Sequence, residues 1–147
     1  MGSIKITADT AQINKLLEKR LEQNAMRELK KKMTRSVMLV HGTVVDSIQR
    51  GSKSGRTYKL TDPKRTHIAS APGEAPATDT GYLVSNISHQ VKKSGNNLVG
   101  QIVASAPYAI HLEFGTRNME KRPFLQPALK KIERKIERIF NGGGFLE

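Results

Sequence analysis

The side chains best suited to acid–base or metal chemistry here are four histidines, His41, His67, His89 and His111. Imidazole titrates near neutrality and ligates transition metals, but it needs partners at fixed spacing. The one short-range pairing is His111 with Glu113, two residues apart. On a strand that spacing places both on one face, where they would hold a metal or pass a proton. No third ligand is near in sequence, so a polar contact at a subunit seam is the expected role. Asp46 and Asp79 offer carboxylates for a His–Ser trio, but any chain of this length contains such combinations. There is no cysteine, which removes thiolate ligands, a Cys nucleophile and disulfides. No H-E-x-x-H, G-x-S-x-G, Walker or dinucleotide-binding glycine pattern occurs. The expectation is a protein with no catalytic residues, no metal and no cofactor.

Charge is the stronger signal. Lys and Arg number 25 against 13 Asp and Glu, a formal net charge of +12, and the pI is near 10.2. Such a balance favours a polyanion or an acidic protein partner. Lys30, Lys31, Lys32 and Arg35 cluster in the first half, followed by Arg50, Lys53, Arg56, Lys59, Lys64 and Arg65. Cations of this kind neutralise phosphates without reading sequence. Base stacking needs aromatic residues, and this loop offers only Tyr58. A basic nucleic-acid-binding module is therefore the second reading, behind contacts with acidic surfaces of neighbouring proteins.

These residues must be positioned by few elements. With 147 residues, the chain reads as a single domain, 1–147. No apolar run approaches the roughly 20 residues of a membrane span, and the N-terminal MGSIKITADTAQ lacks the apolar core of a secretory signal. Asp9 reads as an N-cap with Gln12 as its partner. Met26, Leu29, Met33, Val37, Val40, Val44 and Ile48 then mark one helix face. Upstream, Ile13, Leu17 and Leu21 step by four, so their stripe drifts around the helix. Either the helix curves or it breaks near Gln23–Asn24. Unbroken, it would be a rod of about 60 Å on a domain whose radius of gyration is about 15 Å, and the overhanging apolar face would need a partner.

Residues 50–81 are rich in Gly, Ser, Thr, Pro and cations and read as a long basic flexible loop, either solvated or ordered on a partner. Alternation then begins at Leu83 and runs through Ile87 to Val91. A Ser94–Asn97 turn leads into a second alternating run, Leu98 to Ser105, which makes a β-hairpin. Tyr108–Phe114 suits a strand or a helical turn. The last helix opens at Pro123 to Pro127, carries Leu129, Ile132, Ile136, Ile139 and Phe140 on its apolar face, and stops at Asn141 and the glycines after it. The fold class is α+β: a long N-terminal helix and a C-terminal helix packed on a small antiparallel β-sheet.

Two stretches carry a family pattern. GRTYKL at 55–60 is followed by HIASAPGEAPATDTGYLVSNI at 67–87, and APYAIHLEFGTRNMEKRPFLQPAL spans 106–129. A tyrosine entering an EFGT turn, a short polar loop and RPF-L-x-PAL opening the final helix together resemble the tailed-bacteriophage head–tail joining family, whose members are minor tail-component, neck or tail-completion proteins. Tyr82 departs from the pattern, standing where a basic residue is commoner. The resemblance implies a structural virion protein, not an enzyme. It would form a homo-oligomeric ring, six-fold by preference and twelve-fold as the alternative, at the head–tail junction. Its partners would be head-completion or connector proteins and tail-tube or tail-terminator proteins, with phage DNA passing through the channel and no membrane involved. Assembly would take place in the host bacterial cytoplasm.

The motif also has its own physical reading. Gly115 permits a positive φ that lets the chain reverse. Phe114 and Phe124 flank the loop and would pin it to the core, and Arg117 and Arg122 lie within sequence reach of Glu113. Phe114, Gly115, Thr116, Pro123 and Phe124 are the expected turn. Tyr108, His111, Glu113, Arg117 and Arg122 are the expected contacts with a neighbouring subunit or ring.

Overall fold

The computed structural model describes residues 10–61 and 63–141. The expected N-cap Asp9 and the glycine stop after Asn141 lie outside the described residues.

Helix α1 runs unbroken over Thr10–Arg50, 41 residues, or about 60 Å at 1.5 Å per residue. Of the two alternatives, the break near Gln23–Asn24 is absent: the stretch holds no proline and its single glycine, Gly42, lies further along. Only the second half of the helix is seated on the domain. Ala11 to Lys31 are exposed apart from Met26, whereas Val37, Val40, Val44 and Ile48 are buried.

A buried core forms on that seated half from Leu83, Ile87, Ala106, Ala109, Phe124, Ala128 and Ile132. The region expected to be an aperiodic loop contains a hairpin: β1 (Thr57–Thr61) pairs antiparallel with β2 (Lys64–Ile68), with Tyr58 opposite His67. It forms its own two-stranded sheet, and its burial alternates only weakly, so its sequence carries no clear period.

The expected strand from Leu83 starts later. Tyr82–Ser85 is a helical turn, α2, entered through Gly81 and closed by the Ser85 amide donating to the Gly81 carbonyl at 2.9 Å. Leu83 and Ile87 are both buried, a spacing of four that serves a helical turn as well as a strand. Strands β3 (Ile87–Ser94) and β4 (Asn97–Ala104) then form the expected hairpin, Ser94 opposite Asn97. Hairpin β3–β4 lies against α1. It comes close at Gly100, where a Cβ would collide with the Val37 side chain and lie 2.9 Å from the Met33 sulfur.

Helix α3 is Ala109–Phe114 and α4 is Leu125–Phe140. The last helix starts two residues before Pro127, which falls in the first turn, where no intrahelical amide bond is lost. Its inward face is Leu125, Ala128, Ile132 and Ile136; the expected Leu129 points outward, half exposed. The α+β class holds, with α1 and α4 packed together beside the β3–β4 hairpin. No described helix is long and apolar enough to cross a membrane.

Candidate functional site

The stretch 106–126 builds one rigid unit. After Ala106-Pro107 ends the strand pairing, the Tyr108 carbonyl accepts from the amides of His111 and Leu112, so Tyr108–Phe114 is helical. The 3.6-residue period then sorts its side chains. Ala109 and Glu113, four apart, face inward and are buried. Ile110 and Phe114, also four apart, face outward. His111 and Glu113 consequently do not share a face: His111 is exposed and Glu113 is 5% exposed.

Glu113 has an internal task. Its carboxylate accepts from the backbone amides of Phe124 at 2.8 Å, Leu125 at 3.0 Å and Gln126 at 3.0 Å. These amides open α4 and have no intrahelical partner of their own. A carboxylate there satisfies them and sits at the positive end of the helix dipole. Neither expected ion pair forms. Arg117 is exposed. Arg122 donates from Nε to the Ser70 carbonyl at 3.2 Å and from a terminal nitrogen to the Glu120 carbonyl at 3.3 Å. Glu113 thus holds α3 to α4 within one subunit, and Arg122 ties the turn to the 70–75 segment.

Phe124 enters the core as expected, 1% exposed, but Phe114 does not: 66% of its surface is bare. The helical turn decides this, because the inward position one residue earlier is taken by Glu113. Gly115 then reverses the chain at φ 78° and ψ 178°, a region essentially restricted to glycine. Thr116 and Met119 bond each other in both directions, and the Arg122 amide donates to the Leu112 carbonyl at 2.7 Å. Pro123 follows, half-buried, and leads into α4.

No protein-family model, curated protein or solved structure matches this chain.

On the Tyr108 and Leu112 side of the same stretch, away from the outward pair, lies a cleft of about 460 Å³, lined among others by Tyr82, Tyr108, Asp79, His67 and Arg122. The rings of Tyr82 and Tyr108 stand 6.2 Å apart. Asp79 is engaged by Arg65 at 2.6 Å and lies 3.9 Å from His67. Tyr108 and Arg122, expected together at a contact, therefore do line one cleft, while Arg117 does not line it.

The six cations of the basic loop are divided rather than pooled. Arg50 pairs with Asp46 at 3.3 Å. Lys53 donates to the Ala75 carbonyl at 2.8 Å and the Ser47 carbonyl at 3.4 Å, and its burial lowers its pKa. Arg56 sits over the Tyr58 ring at 5.7 Å. Lys59 and Lys64 are exposed on the β1–β2 ribbon, and Arg65 holds Asp79. Nearby, Glu74 accepts from the Ser54 hydroxyl at 2.5 Å, the Ser54 amide at 2.9 Å and the Ala71 amide at 2.8 Å. These bonds, the hydroxyl's first, hold its pKa down to about 2.

Two features escaped the sequence. Ile110 joins Phe114 outside; the spacing of four was present, but with strand and helical turn both open for Tyr108–Phe114 it did not single out this pair. His41 and His89 meet with ring centroids 4.9 Å apart, far apart in sequence and with no local signal. Among the described residues no three His, Asp or Glu side chains are grouped to hold a metal.

Proposed function

We propose that this chain is a structural protein of the head–tail junction of a long-tailed phage or prophage, a neck, tail-completion or tail-terminator component that forms a ring around the DNA channel. The observation that carries the reading is the bared pair Ile110 and Phe114, 59% and 66% exposed, standing on a base made rigid by Glu113 and Gly115. Fixed apolar groups left in water mark surfaces awaiting a partner, and preorganised ones bind at low entropic cost. Both fall in the 106–129 stretch that carries the resemblance to head–tail joining proteins, Phe114 within its EFGT turn. The half-exposed Tyr108 and the exposed His111 and Arg117 border the same helix and turn, which gives the seam a polar rim. Glu113 and Phe124 act by holding its shape, and the long overhang of α1 adds a second surface suited to assembly.

Light scattering on the full chain tests the reading, alone and with a purified head connector, alongside joining of heads to tails in extracts that lack this protein. The expected result is a defined multimer and active joining, both lost in Ile110→Ser/Phe114→Ser while the melting temperature holds. A double variant that assembles and joins like the parent overturns the reading.

A second reading, a nucleic-acid-binding module, is favoured by the exposed β1–β2 ribbon carrying Lys59 and Lys64, since a two-stranded ribbon fits a DNA major groove. Tight, salt-dependent duplex binding by a monomer, abolished by Lys59→Glu/Lys64→Glu, would place it first.

A further inference from the structure

Helix α1 has a second apolar face that the domain does not use. At 3.6 residues per turn, the buried positions Val37, Val40, Val44 and Ile48 cluster on one side of the helix. Ile13, Leu17, Leu21, Met38 and Leu39 cluster on a side turned from it by roughly 170°. All five of these are exposed, Leu21 by 67% and Met38 by 56%. The two ends of this outer face are apolar, and its middle carries Lys31 with Arg27 at its edge, which with Thr34 flank an open groove reaching Met38 and Leu39. Lys31 is partly offset by Glu28 at 2.9 Å. From Ile13 to Leu39 the helix carries eight cations against three glutamates.

We propose that this outer face of α1 docks an acidic amphipathic helix of another protein. The occupant is chosen by charge. A second copy of α1 would bring the same cationic excess against itself, so like charges would oppose pairing. Nucleic acid would satisfy the cations but not the leucine and methionine floor, and residues 10–50 contain no aromatic side chain other than His41 on which bases could stack. A helix with leucines on one side and glutamates flanking them matches both features, as in helix-in-groove recognition. From Ile13 to Leu39 the face is about 39 Å long, or roughly seven helical turns of partner at 1.5 Å per residue. The inference stands on α1 alone and does not depend on the outward pair at Ile110 and Phe114.

The probe is a fluorescein-labelled peptide of three to four heptads with Leu at positions a and d and Glu at e and g, which repels its own copies. Its control is the same composition scrambled so that no leucine stripe forms. Fluorescence anisotropy with the full chain at physiological salt is expected to give a Kd of about 100 µM or tighter. Binding should weaken at least tenfold in Leu17→Gln/Met38→Gln and again in Arg27→Glu/Lys31→Glu. All four positions are exposed on the helix surface, and circular dichroism should show its helicity kept. The proposal is overturned if the scrambled peptide binds equally, if no binding is seen, or if a labelled duplex DNA binds more tightly and ignores Leu17→Gln/Met38→Gln. It is also overturned if the chain dimerises and that same variant dissociates it, for then a second copy covers the face. Assembly of rings by a Leu17→Gln/Met38→Gln protein that no longer takes the peptide separates this outcome from failure of the head–tail reading.

Discussion

The carboxylate of Glu113 lies 2.8 Å from the backbone nitrogen of Phe124, so the acidic residue of one short helix caps the start of the next. This contact joins the two halves of the motif from inside the subunit.

Glu113→Gln should therefore destabilise the fold. The amide side chain keeps one acceptor oxygen and loses the charge, at about 1–3 kcal/mol for a buried, charge-assisted set of bonds. For a domain this size each kcal/mol lowers the melting temperature by roughly 2–8 °C. An unchanged thermal melt would show that the cap contributes nothing.

Phe114 and Phe124 should behave oppositely. Phe124→Ala empties a buried site and should cost about 3–5 kcal/mol. Phe114→Ala removes a side chain already in water and should stay within about 0.5 kcal/mol. Denaturant titration of both variants checks this, and equal losses would put Phe114 in the core.

The glycines divide in the same way. Gly115→Ala forces a Cβ into left-handed space, 3.0 Å from the Lys121 nitrogen, and should lose about 1–3 kcal/mol. Gly42 sits within α1, where a Cβ would meet nothing within 4 Å, so Gly42→Ala should gain about 0.5–1 kcal/mol. The two changes in urea midpoint should have opposite signs.

Acid should release the 50–75 segment late. Glu74 has its pKa lowered from 4.5 to about 2 by the bonds from Ser54 and Ala71. A depressed folded-state pKa gives stability that is complete above the ordinary carboxylate range and is lost as pH falls through the folded value. The Ser54 and Ala71 amide resonances should hold their positions down to about pH 3 and shift toward about pH 2, while Glu74→Gln should remove the transition. A midpoint at the ordinary carboxylate value would mean the tether is not formed in solution.

Much of the fold is written in local patterns. Helix α1 follows from a long stretch without proline and a stripe at three and four. The β3–β4 hairpin follows from alternation around Ser94–Asn97, and α4 from its own apolar period. Each rests on neighbours in sequence, and a period needs nothing else to be read. The choice between a curve and a break at Gln23–Asn24 arises from treating the outer stripe of Ile13, Leu17 and Leu21 as a drifting continuation of the inner one, when it is a separate face.

The candidate site was legible in its residues but not in their directions. Tyr108–Phe114 is too short for its period to choose between strand and helix, and the two choices exchange inside for outside at Glu113 and Phe114. Leu83 and Ile87 posed the same ambiguity for α2. Sequence alone placed Glu113, Phe114, Gly115 and Phe124 at one turn and permitted a positive φ at Gly115. Only the tertiary structure brought the three free amides of α4 to the buried side of α3. Three unpaired backbone donors there demand an acceptor, so the carboxylate turned inward and the phenyl ring was left in water.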